Sequence, residues 1–330
     1  MQPGELPLRA FLGPVADDLD DPTVREVVVN RPGEVGVERG SGWTWRNVPE
    51  FTYERLDQIG ILAGYLTGRD LDSEHPFAGS TLPDGHRIQI CRPPATLPGT
   101  IAIAIRKPPV TARRLDDDDF PDLFSETNAP VSRSTAHDAQ LEYLLETRDF
   151  RAFFKLARAA GKTIDVCGKT GSGKTDFSRR LMQETDAGAR VLTIESDAEY
   201  GRIGPRNSVA LFYNEQHPQM QPEAVVAAAL RMRPDEIWFQ ETRGREAWAV
   251  MRARAAGHRG GGTTWHADEG KEIEALMLMM RQHPATVGLT DEKLRAICLQ
   301  YVDIIVWCDR VPDAGFKVPR VWMRGAEDAA

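Results

Sequence analysis

The octapeptide Gly168-Lys169-Thr170-Gly171-Ser172-Gly173-Lys174-Thr175 carries the clearest chemistry in the chain. Its pattern is glycine, four residues, then Gly-Lys-Thr. Glycines let a backbone curl until successive N–H groups point inward, where they meet phosphate oxygens. Lys174 then reaches the β- and γ-phosphates, and the Thr175 hydroxyl is an oxygen ligand suited to Mg2+. The short apolar run Thr163–Cys167 comes before it, and helix-prone Gly173–Glu184 follows. A helix N-terminus adds a partial positive charge for the phosphates. The ligands expected here are ATP and Mg2+, held by residues Gly168, Lys169, Thr170, Gly171, Ser172, Gly173, Lys174 and Thr175.

Acids follow downstream at strand ends. The run Arg190–Ile194 leads into Glu195-Ser196-Asp197-Ala198-Glu199, and Glu236–Gln240 leads into Glu241. In open parallel sheets ligands bind at the carboxyl ends of the strands. Glu195 and Glu241 can therefore contact the metal through water or orient the attacking water. The competing reading is of solvated acids at strand ends. Arg231, Arg233, Arg243 and Arg245 surround the second of these strands. A cation beside a γ-phosphate stabilises transition-state charge, whereas ion pairs with Asp235, Glu236 and Glu246 would be structural. A glycine-rich turn from Gly257 leads into a strand ending at His266, placed to sense the γ-phosphate or simply to be a satisfied core histidine.

These residues need a scaffold, and hydrophobic periodicity supplies one. From about Ala139 strand-like and helical runs alternate. Leu141–Ala160, Gly173–Glu184, Glu223–Met232, Arg245–Ala256, Lys271–Arg281 and Asp291–Gln300 read as helices. Thr163–Cys167, Arg190–Ile194, Glu236–Gln240, Gly262–Trp265, Tyr301–Cys308 and Lys317–Met323 read as strands. Such alternation predicts a parallel sheet covered by helices on both faces. Upstream, β-prone Val27–Val29, Val35–Glu38, Trp43–Val48, His86–Cys91 and Thr100–Arg106 accompany the amphipathic helix Tyr53–Leu66, which predicts a smaller α+β unit. The fold class expected is α/β, with residues 1–108 as the N-terminal domain, 109–138 as a linker and 139–330 as the ATPase domain. The linker is rich in proline and carries Asp116–Asp119, read as a solvated run.

Composition sets limits. The 330 residues are 41% hydrophobic, enough for a large core. No run of roughly 18 apolar residues predicts a membrane span, and Met1–Ala10 lacks the pattern of a secretory signal. A net charge of −8 argues against broad nucleic-acid binding, so no stable DNA binding is expected. The cysteines Cys91, Cys167, Cys298 and Cys308 have no zinc or redox spacing and read as buried thiols in a reducing, cytoplasmic setting.

In order, Cys167–Thr175, Val191–Glu195, Leu230-Arg231-Met232-Arg233-Pro234-Asp235 and Gly257–His266 resemble the secretion ATPase superfamily that powers type IV secretion, type II secretion and type IV pili. Val29–Val35, Gly85–Ile90 and Ile103–Pro108 are similar to the N-terminal domain of its type IV secretion branch. The resemblance implies a RecA-like ATPase domain, a homo-oligomer that is a hexameric ring, and ATP held between N- and C-terminal domains. It implies action at the cytoplasmic face of the inner membrane beside other secretion components, in pilus assembly, substrate export or both. It places Glu195 and Glu199 in an acidic box, Glu241 in the Walker B element and His266 in a histidine box. Arg87 and Arg106 match positions whose arginines approach the phosphates, and Arg231 and Arg233 are catalytic candidates. Ser196 stands where the family usually continues with aspartate. The alternatives are a type IV pilus or type II secretion ATPase, although the four-cysteine zinc module usual in the latter has no counterpart here. More distant alternatives are a DNA-translocating RecA-like motor and a nucleotide-gated scaffold that hardly turns over.

Overall fold

A computed structural model describes residues 4–40, 42–82, 84–108, 137–201, 203–258 and 260–326. The expected linker, with its aspartate run, lies outside them apart from its last two residues. The chain opens with α1 (Glu5–Leu12), a 3-10 turn (Gly13–Val15) and α2 (Ala16–Asp20). These helices were not anticipated, although Leu8, Leu12, Val15 and Leu19 recur at helical spacing and are all buried. Next come β1 (Val24–Val29), β2 (Glu34–Arg39), β3 (Gly42–Asn47), α3 (Tyr53–Leu66), β4 (Phe77–Thr81), β5 (Arg87–Cys91) and β6 (Ala102–Arg106). The six strands form an antiparallel sheet in the order β3-β2-β1-β6-β5-β4. Thr52 caps α3 by accepting the Arg55 N–H at 3.2 Å.

Both faces of this sheet are covered. Val27, Val29, Ile103 and Ile105 pack under α1 and α3. Val28, Cys91, Ala102 and Ala104 point the other way, into a core shared with the second half of the chain. That explains why β1 reads Val-Val-Val without polar alternation.

The second half contains α4 (Asp138–Glu146), α5 (Phe150–Ala159), β7 (Ile164–Gly168), α6 (Lys174–Gln183), β8 (Val191–Glu195), β9 (Ser208–Phe212), α7 (Pro222–Arg231) and β10 (Glu236–Phe239). It continues with α8 (Glu246–Ala255), β11 (Gly261–Gly262), β12 (Thr264–Trp265), α9 (Glu272–Met280), α10 (Asp291–Tyr301), β13 (Ile304–Val311) and β14 (Gly315–Met323). The single helix expected over Leu141–Ala160 is two. Arg148 takes a left-handed φ of 59°, and the Asp149 carboxylate caps the new helix by accepting the Ala152 N–H at 3.2 Å.

Two four-stranded sheets run β9-β8-β10-β11 and β12-β7-β13-β14, parallel throughout except for the last hairpin. Residues 261–265 join them: β11 pairs with β10 and β12 pairs with β7. Between them Thr263 accepts the Val166 N–H at 2.9 Å. Glycine is needed at this crossing. Gly261 has φ +74°, and a Cβ there would sit 2.1 Å from the Ile237 carbonyl oxygen. The result is one continuous layer in the order β9-β8-β10-β11/β12-β7-β13-β14, with helices on both sides.

The N-terminal sheet docks at the β9 side. Arg190, fully buried, donates to the Met232 carbonyl at 2.8 Å and the Asn30 side-chain oxygen at 3.0 Å. Asn30 in turn donates to Asn207 at 3.0 Å. Phe212 N–H donates to the Ala95 carbonyl at 3.0 Å, tying β9 to the N-terminal unit.

Candidate nucleotide site

β7 ends at Gly168 in the middle of the layer, and α6 begins at Lys174, so the octapeptide forms the loop between them. Gly173 caps α6 with φ +89°, and the Phe316 ring lies 2.9 Å from where its Cβ would be. Lys174 is folded back into the loop. Its Nζ donates to the carbonyls of Gly168 and Lys169, each at 3.1 Å, and lies 3.2 Å from His266 Nδ1. Burial pulls the Lys174 pKa below its ordinary value, with the nearby Glu241 carboxylate opposing the shift.

His266 Nε2 lies 2.8 Å from Glu241 Oε1. Nδ1 lies 3.1 Å from the Gly168 carbonyl as well as 3.2 Å from Lys174 Nζ, so with a proton at Nε2 for Glu241 it either donates to that carbonyl or accepts from Lys174. The other Glu241 oxygen accepts from Arg243 Nε at 2.8 Å and from its terminal nitrogen at 2.5 Å. That hydrogen bond raises the Arg243 pKa above its ordinary value. Buried Glu246 accepts the backbone N–H groups of Arg243 and, at 2.8 Å, Gly244, fixing the loop before α8.

The structure separates the two glutamates of the acidic segment. Glu199 reaches the site: its Oε2 accepts the Thr175 hydroxyl at 3.2 Å. Glu195, expected to contact metal or water, is set back from the Thr175 hydroxyl. It is 0% exposed, and its oxygens accept the Thr193 hydroxyl at 2.6 Å, the Glu199 N–H at 2.9 Å and the Tyr200 N–H at 2.8 Å. Desolvation raises its pKa. Here Glu195 shapes the turn that aims Glu199. Gln240 assists by accepting the N–H groups of Ser196 at 2.9 Å and Asp197 at 3.2 Å.

The arginines also divide. Of the four around β10, only Arg243 reaches the Glu241–His266 pair. Arg233 is paired with Glu26 and Glu38 of the N-terminal sheet, and Arg231 packs over Gly79 of β4. Both precede β10 and so lie at the opposite edge of the layer from the phosphate loop. Within this chain both make contacts to the N-terminal sheet, away from the phosphate loop. Arg245 donates to Gln221 at 2.5 Å. Arg87 and Arg106 face each other across β5 and β6, exposed, with no hydrogen-bond or ion-pair partner among the described residues. Arg106 also lies opposite Glu26 on β1, the carboxylate that Arg233 meets, and among the described residues no contact joins either arginine to the phosphate loop. His258 is accounted for structurally by its Nδ1 contact of 3.0 Å with the Pro234 carbonyl. All four cysteines are buried and free.

The candidate magnesium ligands are a hydroxyl and a carboxylate, Thr175 and Glu199. That donor set fits Mg2+, which keeps several waters and takes one or two protein oxygens plus phosphates.

A glycine loop between a central strand and a helix, with an acid and a histidine at neighbouring strand ends, defines a RecA-like P-loop nucleotide-binding protein. Comparisons with known proteins narrow this. The family described as "Type II/IV secretion system protein" matches residues 133–302. Type IV secretion system protein VirB11 of Brucella suis is 38% identical over 302 residues, spanning 89% of this chain and 83% of that protein. VirB11 of Agrobacterium fabrum is 32% identical over 329 residues, 96% of this chain and 93% of that protein. The crystal structure of the VirB11 ATPase from the Brucella suis type IV secretion system, in complex with sulphate, superposes with a TM-score of 0.91. It is 35% identical and covers 97% of this chain and 95% of that one. The chain belongs to the type II/IV secretion system protein family, on the branch of the VirB11 secretion ATPases. The type IV secretion reading is thereby supported over the pilus, type II and DNA-motor alternatives. Among the described residues no helix is long and apolar enough to cross a membrane.

Proposed function

We propose that this chain binds magnesium-ATP in the loop Gly168–Thr175 and hydrolyses it to drive type IV secretion. One observation carries the reading. An unbroken chain of contacts runs from the phosphate loop through Lys174 and His266 to Glu241, at 3.2 and 2.8 Å.

In this reading the Lys174 ammonium exchanges its loop carbonyls for β- and γ-phosphate oxygens. Glu241 takes the proton of the attacking water, the new P–O bond forms at the γ-phosphorus, and the bond to the β–γ bridging oxygen breaks to release ADP. His266 holds Glu241 from one side and Arg243 from the other. Thr175 and Glu199 would hold Mg2+, which when bound neutralises charge on the β- and γ-oxygens. Arg87 and Arg106 are the free cations that the N-terminal unit, residues 1–108, offers to polyphosphate. Residues 139–330 form the ATPase domain, with 109–138 as the linker. The working form is a homo-oligomer, a hexameric ring. It acts at the cytoplasmic face of the inner membrane with other secretion components, in pilus assembly, substrate export or both, and without stable DNA binding.

The test is nucleotide binding and phosphate release for wild type, Lys174→Ala and Glu241→Gln, with assembly mass by sedimentation. Lys174→Ala should lose ATP binding. Glu241→Gln should keep it and lose roughly 10²–10⁴-fold in turnover, the usual contribution of general base catalysis. Equal turnover in all three would refute the site.

A further inference from the structure

The order of strands gives the bound nucleotide a direction. Glu241 follows β10 and His266 follows β12, both on one flank of β7; β13 and β14 lie on the other. The terminal phosphate and the base are opposite ends of a nucleoside triphosphate. With the γ-phosphate turned to Glu241, the nucleoside must leave the loop towards the β13–β14 hairpin.

That hairpin continues past the edge of the sheet. β13 pairs with β7 only as far as Cys308 opposite Gly168. Asp309, Arg310 and Val311 run beyond it, paired with Lys317, Phe316 and Gly315. Phe316 is thereby brought against the phosphate loop, with its Cδ1, Cγ and Cε1 atoms 2.9, 3.2 and 3.4 Å from the Cβ position of Gly173. The ring is nevertheless 58% exposed. The guanidinium of Arg310, its cross-strand partner, sits 5.6 Å from the ring centroid and steadies it. An aromatic ring held at the mouth of the candidate phosphate site, with Arg310 over it and still 58% exposed, keeps apolar surface open to solvent. A purine supplies a flat apolar face of matching size.

We infer that Phe316 is the platform on which the nucleotide base stacks, with Arg310 as its positioning residue. The inference rests on the phosphate-loop reading above. Stacking on one ring accepts any base with a π-face, so it contributes affinity more than it selects among purines.

The test uses the full chain with Mg2+ and two titrants, ATP and inorganic tripolyphosphate, measured by calorimetry. Tripolyphosphate fills the loop but carries no base. Phe316→Ala should weaken ATP binding about tenfold, the scale of one base–aromatic stack, and leave tripolyphosphate affinity unchanged. Phe316→Trp should retain ATP affinity. If Phe316→Ala weakens both titrants alike, the ring only shapes the loop and the platform is refuted; unchanged ATP affinity refutes it equally. A wild type that binds neither titrant removes the phosphate loop itself, and the platform with it.

Discussion

Replacing Glu195 separates two roles that the sequence leaves together, chemistry and architecture. Its carboxylate is 0% exposed and accepts two backbone N–H groups, from Glu199 at 2.9 Å and Tyr200 at 2.8 Å, besides the Thr193 hydroxyl. Glu195→Ala strands both amides in a dry site at about 1–3 kcal/mol each, so about 2–6 kcal/mol together. That is a large part of a typical total of roughly 5–15 kcal/mol. Glu195→Gln behaves differently. One amide oxygen still faces the two N–H groups, and the amide nitrogen faces a Thr193 hydroxyl that can turn to accept.

The pH dependence has a definite sign. Burial raises the Glu195 pKa above its ordinary 4.5. The native state therefore holds this proton more tightly than the unfolded chain does. The stability that the protonated carboxyl contributes is full below 4.5 and is lost as pH rises through the folded value. Glu195→Gln lacks that loss, so relative to wild type it should gain stability as the pH is raised above 4.5. Urea unfolding across this range, with phosphate release in parallel, reads both effects. Near-wild-type turnover in Glu195→Gln is the expected result. A variant with wild-type unfolding and turnover reduced roughly 10²–10⁴-fold would refute the argument and return Glu195 to the chemistry.

Three further outcomes follow from the same geometry. Gly173→Ala meets both a φ of +89° and the Phe316 ring at 2.9 Å. The strain, about 1–3 kcal/mol, falls on the loop, so ATP affinity measured by calorimetry should drop while the circular dichroism spectrum is kept. Arg254 donates to both Asp165 oxygens, at 2.6 and 2.9 Å, with both side chains buried; Arg254→Met leaves a lone buried carboxylate and should cost about 3–5 kcal/mol in urea unfolding. Asp165→Asn in the same chain should recover part of that loss. Because burial lowers the Lys174 pKa, ATP affinity should begin to fall with rising pH before the ordinary lysine value of 10.5 is reached, as a fluorescent-nucleotide titration would show.

Much of the candidate phosphate site was legible because its signal is local. The loop, its strand and its helix are contiguous, and Glu241 and His266 each close a strand whose carboxyl end must face the ligand edge. What the sequence concealed is long-range. Arg190 is a buried interdomain lock only because Asn30, 160 residues away, meets it. β9, Ser208–Phe212, was missed because it buries only alternate residues, and its tie to Ala95 comes from distant chain.

Strand polarity explains where the arginines fall. β10 has four residues, a length of about 13 Å at 3.3 Å per residue. Arg231 and Arg233 enter it and Arg243 leaves it, so nearness in sequence puts them at opposite edges of the sheet. An arginine before a parallel strand faces whatever packs on the amino edge, here the Glu26 and Glu38 carboxylates of the N-terminal sheet. One that follows the strand faces the ligand. The same rule connects the two ends of β8. Arg190 just before it grips the N-terminal unit, and Glu195 at its close sets Glu199 against Thr175. A five-residue strand thus has the interdomain contact at one end and the candidate phosphate site at the other, and any nucleotide-dependent shift of Glu199 would act on an element already anchored to the N-terminal unit.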